Sequence, residues 1–378
     1  MIGNFLGILL KQFLPRLRRI SRHDVPAGAR AHALTQQISA LAARDSMRFA
    51  FLPSAETDPI GYFPSDLAPE MRPLSSRHLD FVPRDEGLAG LDVVIVTAHG
   101  SDLSGWIAEL RRRADPKTLF AAWLFDNHIA LEANVSTSQA VDFVFPSHKF
   151  AAEPYANPHA VLADAVAPCS CQWTHDEAAA LWRENLGQAR SSQLLVNYVD
   201  YEFSWRSELL RSLKAECAEA DVFLMSPGDR SRYFGMTRAE RMGEWLRYKA
   251  TLILPVSYDL STRVFDALLA GLVPVVPWQV LDFDTAVPPS EQERLGIVRV
   301  EDMTVPAVRD AAAKAVGAYD DMGEAGTTAR HEFALTQHML ANRVGAMLSC
   351  IRDVAAGVRT VENDLSQEPA TLRLSPPC

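Results

Sequence analysis

The sequence predicts an α/β protein built from two parallel-sheet domains, and three observations carry that prediction. Short apolar runs alternate with amphipathic helical stretches along most of the chain. Several of those runs end in polar residues, as in Ala98-His99-Gly100-Ser101, Asp126-Asn127-His128 and Pro146-Ser147-His148. That is the mark of a parallel sheet whose site lies along one edge. The alternation then starts again at Leu194, and 378 residues are enough for two domains that each bury a core.

Residues 1–45 form a basic segment and connector. Ile2, Phe5, Leu6, Leu9, Leu10, Phe13, Leu17 and Ile20 recur at helical spacing, with arginines following. A secretory signal puts its positive charge first, so the order here is reversed. The pattern fits an N-terminal amphipathic helix on an anionic membrane surface, and equally one packed on the protein's own body. No apolar run approaches the roughly 20 residues of a spanning helix. Ala31–Ala43 adds further helical content.

The first domain is expected over residues 46–175. Arg48–Pro53 reads as a strand, and Leu91–Thr97 as a strongly buried one. Leu103–Arg113 is an amphipathic helix, Thr118–Phe125 and Val141–Phe145 are further strands, and Ala160–Trp173 is the exit. The second domain is expected over 176–358. Helices at Asp176–Gln188, Ser204–Cys217 and Arg238–Trp245 interleave with strands at Leu194–Val199 and Asp221–Met225. Gly296–Val300 is one more strand, Val305–Tyr319 is a helix, and His331–Val358 is a helix expected to cross back to the first domain. Residues 359–378 read as a loose tail.

Composition narrows the function classes. A net charge of −10 argues against nucleic-acid binding, although residues 1–45 carry seven basic side chains against Asp24 and Asp45. Five cysteines in a chain of this length make no disulfide framework, and Cys169-Ser-Cys171 lacks metal-site spacing. A reduced, cytoplasmic protein is expected, with residues 1–22 as its candidate contact with the inner face of a membrane. Phosphate-loop, G-x-G-x-x-G, kinase and hydrolase motifs are absent. Asp282-Phe-Asp284 matches a metal-binding D-x-D only superficially, and no metal or cofactor is expected.

The richest stretch is Tyr248–Pro277. Leu252–Pro255 reads as a strand and Ser257–Thr262 as a polar loop. Arg263–Ala270 is a helix stopped by Gly271, and Val273–Val276 is a buried strand. Ligands of open parallel sheets bind at the carboxyl ends of the strands. Arg263 there suits a phosphate and Asp266 a pair of ribose hydroxyls.

Arg263-Val-Phe265-Asp266-Ala-Leu-Leu-Ala-Gly271-Leu-Val-Pro274-Val-Val resembles the R-x-F-E-A-L-x-x-G-x-x-P-V-V phrase of glycosyltransferases with two Rossmann-like domains facing a central cleft, the architecture called GT-B. Tyr248-Lys249, Ser261 and the rest of the segment are also similar to fucosyltransferase and exostosin-type donor domains. The likeness covers about thirty residues. This chain departs from the pattern in carrying Asp266 for Glu, and Tyr258 where a second Glu usually stands.

The resemblance implies a glycosyltransferase taking a nucleotide-sugar as substrate and a glycan, lipid-linked or protein acceptor. Donor contacts would fall to Arg263, Asp266, Lys249, Arg206, Tyr258 and Ser261. On the acceptor side, Asp126 and His128 are the catalytic candidates, and His99 and His148 end neighbouring strands. Histidine titrates near neutrality and suits base or sugar-binding work. Two rival readings stand beside this one. A nucleotide-sugar epimerase would bind the same donor without an acceptor. A non-catalytic scaffold of the same fold would explain the departures at positions 258 and 266.

Overall fold

The computed structural model describes residues 27–54, 62–64, 66–76, 78–98, 101–126, 130–150, 152–201, 204–226, 235–364 and 371–375. Residues 1–22, with the amphipathic segment, lie outside the described residues, as do His99 and His128.

Elements follow in chain order: α1 (Ala27–Ala42), β1 (Met47–Pro53), α2 (Ala68–Met71), β2 (Leu79–Phe81), β3 (Val93–Ala98), α3 (Ser104–Arg113), β4 (Leu119–Leu124), α4 (Leu131–Ser138), β5 (Phe143–Pro146) and β6 (Val161–Leu162). Then come α5 (His175–Asn185), β7 (Ser191–Val199), α6 (Arg206–Glu216), β8 (Ala220–Met225), α7 (Arg238–Leu246), β9 (Tyr248–Leu252), α8 (Arg263–Leu269) and β10 (Val273–Pro277). The chain continues through α9 (Phe283–Ala286), α10 (Pro289–Arg294), β11 (Val298–Val300), α11 (Val305–Gln337), α12 (Leu340–Ala355), β12 (Val361–Asp364) and β13 (Thr371–Leu374).

These strands form two sheets, ordered β12-β13-β6-β5-β4-β3-β1-β2 and β11-β10-β9-β7-β8. Every pairing is parallel except β12 with β13. Taken from its own first strand, each sheet runs 2-1-3-4-5, the doubly wound order whose connections reverse direction beside strand 1. Both sheets are buried on both faces, which is why their strands read as continuous apolar runs. Along β3, Val93 and Ile95 enter one core while Val94 and Val96 enter the other. Along β7, Leu195 and its neighbours Leu194 and Val196 divide between the two faces of the second sheet in the same way.

The chain crosses between the sheets twice. The first crossing is the extended stretch after β6, and the second is the break at His338 and Met339 between α11 and α12. Ser170 and Met339 form a parallel bridge, and the Ser170 amide donates to the His338 carbonyl at 2.9 Å. The stretch His331–Val358 is therefore two helices. Buried His338 wedges at the break between Phe265 and Phe333, with ring centroids 4.5 and 4.7 Å away. Beyond it, Leu340, Val344, Met347, Leu348 and Ile351 pack into the core of the first sheet, together with Leu34, Ile38 and Leu41 of α1.

Glu70 ties the crossings together. It is fully buried, and its two carboxylate oxygens accept from the His175 amide at 2.7 Å and the Ala341 amide at 3.1 Å. One carboxylate thus satisfies orphan donors at the starts of α5 and α12. Burial pushes it up to about 7.

Within residues 359–378, expected as a loose tail, β12 and β13 instead extend the first sheet. Leu372 is fully buried, and Arg359 holds the Asp164 carboxylate at 2.6 Å and the Ser375 carbonyl. Two four-residue strands with one buried apolar side chain leave little periodicity to read.

Candidate functional site

The two sheets present their carboxyl edges to each other. The Tyr62 hydroxyl, past the end of β1, lies 2.8 Å from the Thr262 hydroxyl at the start of α8. The Lys149 amide, past the end of β5, donates to Asp282 Oδ2 at 2.7 Å, past the end of β10. These contacts join the strand-end loops of the two domains.

On the second sheet, the connections reverse between β7 and β9, and aromatic and guanidinium groups crowd that point. The Tyr198 hydroxyl donates to the Leu252 carbonyl at 2.7 Å and accepts from the Leu254 amide at 2.8 Å, pinning β7 to the exit of β9. Arg206 stacks on the Tyr198 ring at 4.9 Å and on Tyr201 at 5.5 Å. Its two terminal nitrogens donate to the carbonyls of Leu254, at 2.6 Å, and Val199, at 3.2 Å. Arg263 stacks on the same Tyr198 ring at 4.4 Å and on Trp245 at 4.7 Å. It also donates to Asn197 Oδ1, whose Nδ2 donates to Glu244 at 3.0 Å.

Two guanidinium groups therefore lie within 5 Å of one tyrosine ring. Burial lowers the Arg206 affinity for its proton, and the nearby Arg263 charge lowers it further. Trp205 and Tyr258 stack at 4.7 Å alongside.

Backbone strain concentrates at the same edges. Among the described residues, the non-glycine residues with positive φ are Asp126 (56°), Tyr258 (61°) and Asp282 (61°). They lie in the connections leaving β4, β9 and β10. For a bulky residue such as Tyr258 this conformation is costly, and such residues cluster at functional sites.

Of the donor-side residues named from sequence, the structure brings together Arg206, Arg263, Tyr258 and Ser261, whose Oγ accepts from the Arg263 amide at 3.3 Å. Two others lie elsewhere. Lys249 sits near the start of β9, at the opposite edge of the sheet, paired with Asp320 at 2.8 Å on α11. Asp266 turns away from the cleft into the interdomain crossing. It is 2% exposed and accepts from Ser170 Oγ at 2.7 Å and Gln172 Nε2 at 3.3 Å. Burial pushes its carboxyl up to about 7, against the opposing pull of Ser170 and Arg263.

On the first sheet, Asp126 leaves β4 half-buried. His148 is 3% exposed, its ring 5.1 Å from Phe150. Asp282 and Asp284 face different partners: Asp284 pairs with Arg299 at 2.7 Å, while Asp282 receives Lys149. Sequence reasoning passed over Asn197, Tyr198, Trp245, Ser170 and Gln172. Asn197 had a signal, being a polar residue inside the apolar run LLVNYV.

These two facing, doubly wound sheets with paired crossings define the class: an α/β protein of GT-B architecture. No family model matches the sequence, and neither does any curated protein. Among solved structures, the chain is similar to a sucrose-phosphate synthase from Thermosynechococcus elongatus, with 11% identity over 82% of this chain and 100% of that one, at a TM-score of 0.47. It is also similar to the Arabidopsis thaliana protein UGT89C1 complexed with UDP-L-rhamnose, with 12% identity over 87% and 95% of the two chains, at a TM-score of 0.35.

Proposed function

We propose that the protein is a glycosyltransferase that takes a sugar from a nucleotide-sugar donor. Half-buried Arg263 carries this reading, with Arg206 behind it as a buried positive neighbour whose terminal nitrogens are held by the Leu254 and Val199 carbonyls. Both lie against one tyrosine ring at the reversal point of a doubly wound sheet, and each feels the other's positive charge, which favours an anion at that edge. A guanidinium fork matches phosphate oxygens, which makes Arg263 the direct contact for a diphosphate. Fixed cations of this kind stabilise the charge that develops on a departing nucleoside diphosphate, where they need little reorganisation. The R-x-F-x-A-L phrase around Arg263 adds its independent support.

Across the cleft, Asp126 is proposed as the group that takes the acceptor hydroxyl's proton, with His128 and His99 kept as acceptor-side candidates from the sequence and buried His148 supporting its strand end. Tyr258 and Ser261 shape the donor side. Asp266 is proposed as a positioning residue, because its oxygens are committed to Ser170 and Gln172. The acceptor is proposed to be a cell-envelope glycan or lipid-linked saccharide, on the strength of the basic, apolar residues 1–22. No metal is assigned a role.

The buried Asp266 is also what favours the scaffold as second reading, since no ribose contact follows from it. Calorimetry with uridine, guanosine, cytidine and thymidine diphosphates and their sugars decides between the two. Micromolar binding of one base class by the wild type, lost in Arg263→Ala, supports transfer. Binding of none of them leaves the scaffold.

A further inference from the structure

All seven tryptophans lie within the described residues, and Trp278 alone is exposed, at 51%. It is the first residue past β10, on the carboxyl edge that faces the cleft. Its indole is held from behind. The Arg299 guanidinium lies 4.4 Å from the Trp278 ring and 4.5 Å from Phe283, sandwiched between them. Arg299 is fixed in turn by Asp284 at 2.7 Å, by Gln292 Oε1 at 3.1 Å and by the carbonyls of Pro277 and Trp278 at 3.3 and 3.2 Å. The Trp278 amide is tied to the Val300 carbonyl at 2.9 Å.

We propose that Trp278 is the floor of a saccharide-binding subsite in the cleft, stacking its open indole face against the C–H face of a pyranose ring. This rests on the glycosyl-transfer reading and extends it to the sugar. Three features select that ligand. A large aromatic surface left in water but locked in place is pre-organised, so a planar apolar partner binds without ordering cost. Arg299 on the covered face already draws on the ring's negative quadrupole, which disfavours a cation on the open one. A neutral ring with polarised C–H bonds is suited instead.

The position fits as well. In the order β11-β10-β9-β7-β8, Trp278 stands one strand from β9 and two from β7. It therefore stands at the same carboxyl edge as Arg206 and Arg263, with its indole on the β11 side over Arg299. The Lys149 to Asp282 contact brings the end of β5 to the loop that Trp278 opens, so a sugar on Trp278 lies near the first domain.

Saturation-transfer NMR tests this with the intact protein and a panel of glucose, galactose, mannose, N-acetylglucosamine, rhamnose, maltose and cellobiose, with free uridine and guanosine alongside. Trp278→Ala leaves Arg299 held by Asp284 and Gln292, so that variant folds, and Trp278→Phe keeps an aromatic surface. The expected result is transfer to the ring protons of at least one saccharide, weakened about tenfold in affinity by Trp278→Ala and largely kept by Trp278→Phe.

Transfer to none of the saccharides, or equal transfer in Trp278→Ala, overturns the subsite. So does Trp278-dependent transfer to the nucleoside bases instead of the sugars. Nucleotide calorimetry on the same wild-type sample stands apart from these outcomes. Trp278-dependent saccharide binding without nucleotide binding sinks the transfer reading and leaves the subsite in place.

Discussion

The two sheets share one strand order but not one chemistry. At the carboxyl edge of the second, Arg206 and Arg263 lie on a tyrosine, with Trp245, Trp205 and Tyr258 around them. At the edge of the first stand Asp126, with its strained backbone, and buried Ser54, Thr97, Ser147 and His148. The same winding thus sets two guanidinium groups at one edge and a carboxylate among buried polar side chains at the other. A fold places a site, and the residues at the strand ends decide what the site does. A reaction that separates a leaving anion from a nucleophile needs that asymmetry.

The largest expected effect breaks the cationic edge. Arg206→Ala and Arg263→Ala together are expected to weaken nucleoside diphosphate binding by roughly a thousandfold, at about 2–4 kcal/mol for a charge-assisted, partly buried contact. Arg206 also spans the ends of β7 and β9 through two carbonyls, so Arg206→Lys serves as the folded control. It restores the charge without the fork and is expected to recover only part of the affinity. Asp126→Ala on the opposite edge leaves this binding unchanged in the same calorimetric titration. Equal losses at both edges would mean that the asymmetry is not the basis of donor binding.

The next effect sharpens the other side. Asp126→Asn keeps the shape of the side chain but cannot take a proton. Donor hydrolysis, read as released nucleotide, is expected to fall about a hundredfold with the nucleotide Kd unchanged. A change in Kd alone would move Asp126 to the donor side of the comparison.

Much of the fold was legible because both sheets are buried on two faces. Val93–Ala98 and Leu119–Leu124 have no solvent side to interrupt their apolar runs. The strand-end histidines were legible only as positions. His148 turned out to be buried, and nothing in a sequence period tells a strand end that opens to a cleft from one roofed by its own loop. Asp266 shows the same limit more sharply. Its place in the first turn of α8 was readable, but its rotation toward Ser170 and Gln172 depends on a linker 96 and 94 residues earlier in the chain. Lys249 could have been excluded from the phosphate site on sequence grounds. A residue at the start of a parallel strand lies at the edge away from the ligands. Trp278 stood in plain view after a buried strand, yet only its exposure distinguishes it from the six other tryptophans.

A smaller effect concerns the crossing between the two domains. Burial pushes both Asp266 and Glu70 up to about 7, from ordinary values near 4. Between about pH 4 and 7 the folded protein keeps protons that the unfolded chain has released. The stability these groups contribute is therefore complete below about pH 4 and is lost as pH rises through 7, on the order of 3 kcal/mol for each carboxylate. Asp266→Asn stays neutral throughout, accepts from Ser170 with its oxygen, and meets Gln172 after an amide flip. The decline of Tm from pH 4 to 8 should become about half as steep in Asp266→Asn. An unchanged slope would show that Asp266 is already ionised in the folded protein.

The smallest expected effect tests the comparison from outside the cleft. Lys249 is the cation on the second sheet that an edge rule predicts to be irrelevant to the donor. It stands near the start of β9, paired with Asp320 on α11 and 6.0 Å from the Tyr319 ring. Asp320 is 53% exposed, so the pair is screened and worth less than about 1 kcal/mol. Lys249→Ala should lower Tm by a degree or two and leave nucleotide Kd within about twofold of wild type. A tenfold loss of nucleotide affinity would instead show that charge reaches the donor through the sheet, in which case the carboxyl edge is not the boundary of the site.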